Sequence, residues 1–173
     1  MSGRHPARQP AAAAGGGPTA MTTGAGAQQA VEARRISLLV VDDHAIVREG
    51  LRRVLSQLDD MVVVGEASTG EAALELVARR RPEVVLMDAR MPGIGGVVAA
   101  KRIVAEHPDV RVIMFTAHAE QDLLWEALDA GAQGFVLKDS ESAALVGAIR
   151  QVVAGDPYVD PRLAPDFLRQ LSK

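Results

Sequence analysis

From Ile36 onward the chain alternates short apolar runs with stretches whose apolar residues recur at helical spacing. The first run, Ile36 to Val41, ends at Asp42-Asp43. Val47, Leu51, Val54, Leu55 and Leu58 then fall at spacings of three and four, which predicts a helix. The second run, Met61 to Val64, ends at Gly65-Glu66. Ser68-Thr69-Gly70-Glu71 next reads as a capping box opening a helix through Leu74, Leu76 and Val77, which Arg81-Pro82 stops. Val84 to Met87 ends at Asp88, and a Met91-Pro92-Gly93 turn leads to a helix around Val97 to Ala105. Val110 to Phe115 ends at Thr116, before a helix from about Glu120 to Ala130. Gly131 and Gly134 bracket the return to Phe135-Val136-Leu137, which ends at Lys138, and a helix from about Glu141 to Ala154 closes at Gly155.

Runs this short, β-branched and continuously apolar suit strands buried on both faces. Strand–helix alternation with short connections implies right-handed βαβ units. The expected fold is α/β: a doubly wound, flavodoxin-like sheet of five parallel strands, order 2-1-3-4-5, with five helices. It occupies residues 36–155. Residues 1–35 read as a disordered Ala/Gly-rich tail. Residues 156–173, interrupted by Pro157 and Pro161, read as a linker or a short docking helix through Phe167, Leu168 and Leu171, with no core of its own.

Composition narrows the class. A chain of 173 residues, 48% hydrophobic, fits one domain with loose ends. It has no cysteine, which excludes disulfides and thiolate metal sites. No apolar stretch approaches the roughly 18 residues that a membrane span needs. The run from Ala11 to Gly17 lacks the leucine-rich core of a signal peptide, so a cytoplasmic location is expected. Arg4, Arg8, Arg34 and Arg35 stand against Glu32 in the tail, while the whole chain has net charge −3. The folded part is therefore acidic, and by itself a poor partner for nucleic acid.

Ligands of open α/β sheets gather at the carboxyl ends of the strands. Four of the five runs end in reactive residues there: Asp42-Asp43, Asp88, Thr116 and Lys138. Neighbouring strands lie roughly 5 Å apart, so Asp42 or Asp43 is expected beside Asp88. Carboxylates that close need a compensating cation. All-oxygen ligation suits Mg²⁺, or Mn²⁺ in its place. A lysine can hold a phosphoryl oxygen and a hydroxyl can donate to another. Together these groups describe an aspartyl-phosphate site. Plainer roles compete with this reading: one of the paired aspartates as a helix cap, and Thr116 bonded to backbone. His44 reads as an exposed helix-start residue, and Trp125 as half-buried packing or, if its ring is exposed, a partner contact.

Val40-Val41-Asp42-Asp43-His44, the stretch from Leu86 to Gly93, Phe115-Thr116-Ala117 and the stretch from Gly134 to Asp139 resemble response-regulator receiver domains. Val64-Gly65-Glu66-Ala67 and Leu137-Lys138-Asp139 are similar to the NarL/FixJ (LuxR-type) subfamily. The resemblance implies that Asp88 is the phosphoacceptor of a two-component system, phosphorylated by a histidine kinase. It implies metal ligation by Asp42, Asp43, Asp88 and the backbone carbonyl of Arg90. Thr116 and Phe135 would form the switch pair, and Lys138 would contact the phosphate. A homodimer on phosphorylation and an output in transcription also follow from it. Such a chain is a regulatory domain, not an enzyme, although it assists its own phosphorylation and dephosphorylation.

Two departures from the family pattern stand out. Gly95 occupies a place that is often acidic, and it is expected to serve as an N-cap. The family usually continues into a helix-turn-helix domain, and the chain stops at Lys173, so it is expected not to bind DNA by itself. Arg90 and His118 lie two residues beyond Asp88 and Thr116 and are expected over the phosphoryl group, where they would crowd out attacking water and lengthen its life. Two alternatives remain. A Mg²⁺-dependent phosphatase would want an acid where Arg90 stands, and a receiver-like module that never carries phosphate would not need the acid, Thr and Lys set.

Overall fold

The computed structural model describes residues 34–117 and 120–173. The chain runs β1 (Ile36–Val41), α1 (Ala45–Ser56), β2 (Met61–Ala67), α2 (Gly70–Arg80), β3 (Val84–Met87) and α3 (Gly95–Glu106). It continues through β4 (Arg111–Thr116), α4 (Gln121–Asp129), β5 (Gly134–Leu137), α5 (Ser142–Val153), β6 (Tyr158–Val159) and α6 (Ala164–Leu171). The strands pair in parallel in the order β2-β1-β3-β4-β5-β6. This is a flavodoxin-like α/β fold.

Among the described residues the sheet has six strands and the fold six helices; the sixth strand goes beyond the expected five, and the sixth helix is the short helix that residues 156–173 offered as the alternative to a linker. Both come from that segment. Tyr158 and Val159 pair with Gly134 and Phe135, and α6 follows. Phe167 then packs on Phe135, ring centroids 6.0 Å apart, and on Trp125 at 5.9 Å. This segment has no core of its own, but it completes the core of the sheet.

The helices divide between two faces. Leu38, Val40, Leu86, Ile113 and Val136 bury one face under α1 and α5, through Leu51, Leu55, Leu145 and Ile149. Leu39, Val41, Met87, Met114 and Phe135 bury the other under α2, α3 and α4, through Val77, Ile103 and Leu124. Strands covered on both faces lose the alternation of a half-exposed sheet, which is why β3 and β5 are buried throughout.

The start of α2 differs from the predicted capping box. Thr69, not Ser68, is the N-cap, and its hydroxyl accepts from Ala72 N at 3.1 Å. Glu71 reaches across to the loop after β3, where Oε1 accepts from Ile94 N at 2.9 Å. Gly95 is not the N-cap of α3 either; Ile94 holds that position, and Gly95 has φ +79°, a left-handed conformation that glycine adopts without strain.

Asp160 is the polar anchor of the last segment. It is buried, and its carboxylate accepts from Leu137 N, Ser140 Oγ and Arg162. Burial alone would raise its pKa, but these donors together hold it far below the usual carboxylate range. A lowered folded pKa means stability that is present above the unfolded value of 3.8 and lost as pH falls through the folded value. Asp160→Asn should therefore cost about 2 kcal/mol at neutral pH, the worth of hydrogen bonds to a charged acceptor. In urea unfolding, the gap to the parent should narrow as pH drops below 3.8. An equal gap at pH values well below and above that point would refute the assignment.

Candidate functional site

The carboxyl ends of β1, β3, β4 and β5 form one edge of the sheet, and backbone bonds continue past β1, β3 and β5 to fix the residue beyond each. Asp42 N donates to Ala67 O at 3.0 Å, Asp88 N to Val41 O at 2.9 Å and Lys138 N to Thr116 O at 2.8 Å. The residues that end the apolar runs are thus held by the neighbouring strand, in the order that brings Asp42, Asp88 and Lys138 together.

Asp42 is only 1% exposed. Its Oδ1 accepts from His44 N at 2.9 Å, the local bond of an Asx turn that starts α1. Its Oδ2 lies 2.5 Å from Lys138 Nζ, an ion pair. Lys138 Nζ also lies 3.2 Å from Asp88 Oδ2. Asp88 is buried, and its Oδ1 accepts from Arg90 N at 3.3 Å. Burial, first of all, raises the Asp88 pKa; Lys138 opposes that rise and Asp42 adds to it. Burial would depress the Lys138 ammonium, but its bonds to Asp42 and Asp88 outweigh this and raise its pKa.

Oxygens of Asp42, Asp43 and Asp88 and a ring nitrogen of His44 all lie within 4.8 Å of one another. Asp42 and Asp88 are buried while Asp43 and His44 are exposed, so the cluster opens to solvent on one side. Three carboxylates gather beside a single lysine here, and burial penalises the charge of Asp88, conditions that a divalent cation would relieve. The oxygen donors fit Mg²⁺.

Thr116 ends β4 at this edge, and Phe135 lies near the start of the neighbouring β5. Both are buried, and with Ala89, Met114, Leu124 and Leu163 they line a small, partly open pocket of about 10 Å³. That is the lower limit for one water. Phe135 lies under Phe167 of α6 rather than at the surface. Trp125 is half-buried in the same aromatic group. His118 lies outside the described residues. The Arg90 guanidinium pairs with Glu120 at the start of α4, joining the loops after β3 and β4.

Two contributors to the site, Glu120 and Arg48, escape sequence reasoning, and His44, read as an exposed helix-start residue, is that and also stands beside the carboxylates. Glu120 holds Arg90, and Arg48 Nη1 donates to Asp42 O at 2.6 Å. His44 sits inside the cluster, its Nδ1 3.2 Å from Asp42 Oδ1 and 3.1 Å from Asp43 Oδ1. For Arg48, the signal was its place one turn into α1 on the side of Asp42; for Glu120 there was none, since its partner is thirty residues away.

A buried aspartate at the end of the third strand, beside an acidic cluster and a lysine on a doubly wound sheet, defines a receiver-type module. The family model described as response regulator receiver domain matches residues 38–150, and the chain belongs to that family. Response regulator GacA of Pseudomonas viridiflava is 43% identical over 129 residues, 75% of this chain and 60% of that protein. The chain thus spans well under two thirds of the length of that relative. A two-component response regulator of the LuxR family from Aurantimonas sp. SI85-9A1 superposes with TM-score 0.75 at 34% identity, covering 80% of this chain and 99% of the other. The signal receiver domain assigned to NarL of Mycobacterium tuberculosis superposes with TM-score 0.68 at 40% identity, covering 70% and 98%.

Proposed function

We propose that this chain is a phosphoryl-accepting switch, in which Asp88 takes a phosphoryl group from a phosphohistidine of a histidine kinase. The observation that carries this reading is the buried Asp88 carboxylate, with Lys138 Nζ at 3.2 Å and the Asp42–Asp43 oxygens close by. An Asp88 oxygen forms the new bond to phosphorus as the phosphorus–nitrogen bond breaks, and the electron pair leaves with the histidine. Asp42, Asp43, Asp88 and the backbone carbonyl of Arg90 would hold Mg²⁺, or Mn²⁺, which supplies charge neutralisation at the phosphoryl oxygens. Lys138 already stands between Asp42 and Asp88 and needs only a short movement to meet a phosphoryl oxygen.

The Thr116 hydroxyl would turn towards the phosphoryl group, and the Phe135 ring would repack in response. Because Phe167 covers Phe135, this repacking would be felt in α6. A bias of a few kcal/mol is enough to move such an equilibrium. Arg90 and His118 are the candidates for shielding the acyl phosphate from water, with Glu120 holding Arg90 in place. An output in transcription, a homodimer on phosphorylation and a cytoplasmic location complete the reading. DNA binding is expected only in a protein that joins this domain to a helix-turn-helix domain. No described helix is long and apolar enough to cross a membrane.

Mass spectrometry after incubation with acetyl phosphate and Mg²⁺ is the test. One phosphoryl adduct should appear and should be absent when a chelator replaces the metal. A chain that takes up no phosphoryl group, or takes it up equally with chelator, would refute the reading.

A further inference from the structure

Lys138 does not lie within a strand. β5 ends at Leu137; the Lys138 backbone N is still held by Thr116 O at 2.8 Å, and the residues that follow it belong to the loop that leads into α5. That loop is short: Ser140 N donates to Leu137 O at 3.0 Å, closing a tight turn around Lys138 and Asp139. Beyond that one bond to β4, a turn of this kind can shift unless something outside it is attached.

Residues after α5 are attached to Leu137, Asp139 and Ser140, on both sides of Lys138. Asp160 Oδ2 accepts from Leu137 N at 3.3 Å and from Ser140 Oγ at 2.8 Å. The Arg162 guanidinium reaches Asp139 Oδ1 at 2.8 Å and donates to Ser140 Oγ at 2.6 Å. Arg162 is fixed in turn by Asp160, which accepts from its backbone N at 3.0 Å and from Nε at 3.1 Å. Asp160 is itself registered on the sheet, because its N donates to Phe135 O at 2.8 Å. The residues on both sides of Lys138 are therefore clamped by one buried carboxylate and its arginine.

We infer that Asp160 and Arg162 are positioning residues for Lys138: they hold the β5–α5 loop so that Nζ stays over the Asp42–Asp88 pair. This inference rests on the receiver reading of the site and assigns the segment after α5 a part in it. The plainer alternative is a staple that only fastens that segment to the sheet. The contacts separate the two ideas, since a staple would need one bond to the loop, and here Leu137, Asp139 and Ser140 are each held. A small displacement of a charged contact changes its strength sharply, because position and alignment decide the bond. Lys138 would feel such a displacement, whereas Asp42, Asp43 and Asp88 sit at other strand ends.

The test compares two affinities measured by calorimetry in the whole chain: Mg²⁺ alone, and beryllofluoride, a tetrahedral mimic of a phosphoryl group, in saturating Mg²⁺. Asp160→Asn should weaken beryllofluoride by about fivefold, a partial loss of one charge-assisted contact. Mg²⁺ affinity should stay within about twofold. Arg162→Ala takes the guanidinium from the buried carboxylate but leaves its bonds to Leu137 N, Ser140 Oγ and the backbone N of residue 162; with its fold checked by circular dichroism, it should weaken beryllofluoride in the same direction. Arg162→Lys, which restores a cation beside Asp139, should recover part of the loss. Folded variants with unchanged beryllofluoride affinity, or with both affinities reduced alike, overturn the positioning role. A parent chain that binds no beryllofluoride overturns the receiver reading, and the positioning role with it.

Discussion

Asp88→Asn should take up no phosphoryl group from acetyl phosphate and Mg²⁺, and in metal-free buffer it should melt at a higher temperature than the parent. The first result follows from chemistry. The amide has the shape of the carboxylate but lacks the charged oxygen that bonds phosphorus. The second follows from burial. The Asp88 pKa is raised, mainly because the charged form is cut off from water, with Asp42 adding to the effect and Lys138 opposing it. A group whose pKa rises on folding supports the fold below its unfolded value of 3.8 and loses that support as pH climbs through the folded value. At neutral pH the parent carries the buried charge and the variant does not. The advantage of the variant should shrink in acid, where Asp88 is protonated in both states. Added Mg²⁺ should raise the melting temperature of the parent more than that of the variant, since it binds the folded site through that carboxylate. Labelling of the variant at the parent level would remove Asp88 from its role. A variant that melts below the parent at neutral pH without metal would show that the Lys138 pair outweighs burial.

Gly96→Ala should be the most damaging single methyl group in the domain. A Cβ at Gly96 would lie 1.8 Å from the backbone oxygen of Asp88 and 3.0 Å from the Cα of Ala89. Backbone atoms cannot rotate out of the way as a side chain can. The first turn of α3 is also tied to this loop, because Gly96 N donates to Ala89 O at 3.1 Å. The substitution must push α3 away from the loop that presents Asp88, at a cost of about 3 kcal/mol, the upper part of the range for overpacking. Gly95→Ala is the control: nothing lies within 4 Å of its added methyl, and only its φ of +79° is strained. It should cost about 1 kcal/mol. Urea unfolding of both variants measures the difference, and a Gly96→Ala midpoint equal to that of Gly95→Ala would contradict the close approach.

The neighbouring glycines show where a sequence stops being informative. Two adjacent glycines at a helix start look alike, and only the path of the loop after β3 decides which one touches backbone. Strand ends were legible for the opposite reason. A strand buried on both faces is a continuous apolar run, so its last residue is marked by the first polar one, as at Asp42, Asp88, Thr116 and Lys138. β6 has only two residues, too few for any period to register, and Pro157 and Pro161 on either side suggested a linker. Asp160 carries no signal in the sequence because two of its donors come from residues 137 and 140, remote along the chain. Glu71 was assigned to its own helix end because a capping box is local, while Ile94 is remote in sequence. The sequence-based placement of Arg90 rested on spacing from Asp88; its ion pair with Glu120 depends on how the loops after β3 and β4 meet.

The two margins of the sheet bear on how the chain behaves in a crowded solution. Exposed strand edges invite another chain to add a strand and begin a fibril. At the β2 margin the register jumps, with Leu38 opposite Val63 and Leu39 opposite Gly65, so Val64 is extra and the strand is bent. At the other margin β6 offers two residues between prolines, and a proline has no N–H to extend a ladder. Neither margin presents a long flat template, although the interior strands are rich in the valine, isoleucine and leucine that fibrils favour. The short C-terminal strand therefore doubles as a guard for β5, and its loss would lay bare the run Gly134–Leu137 as a seed for self-association.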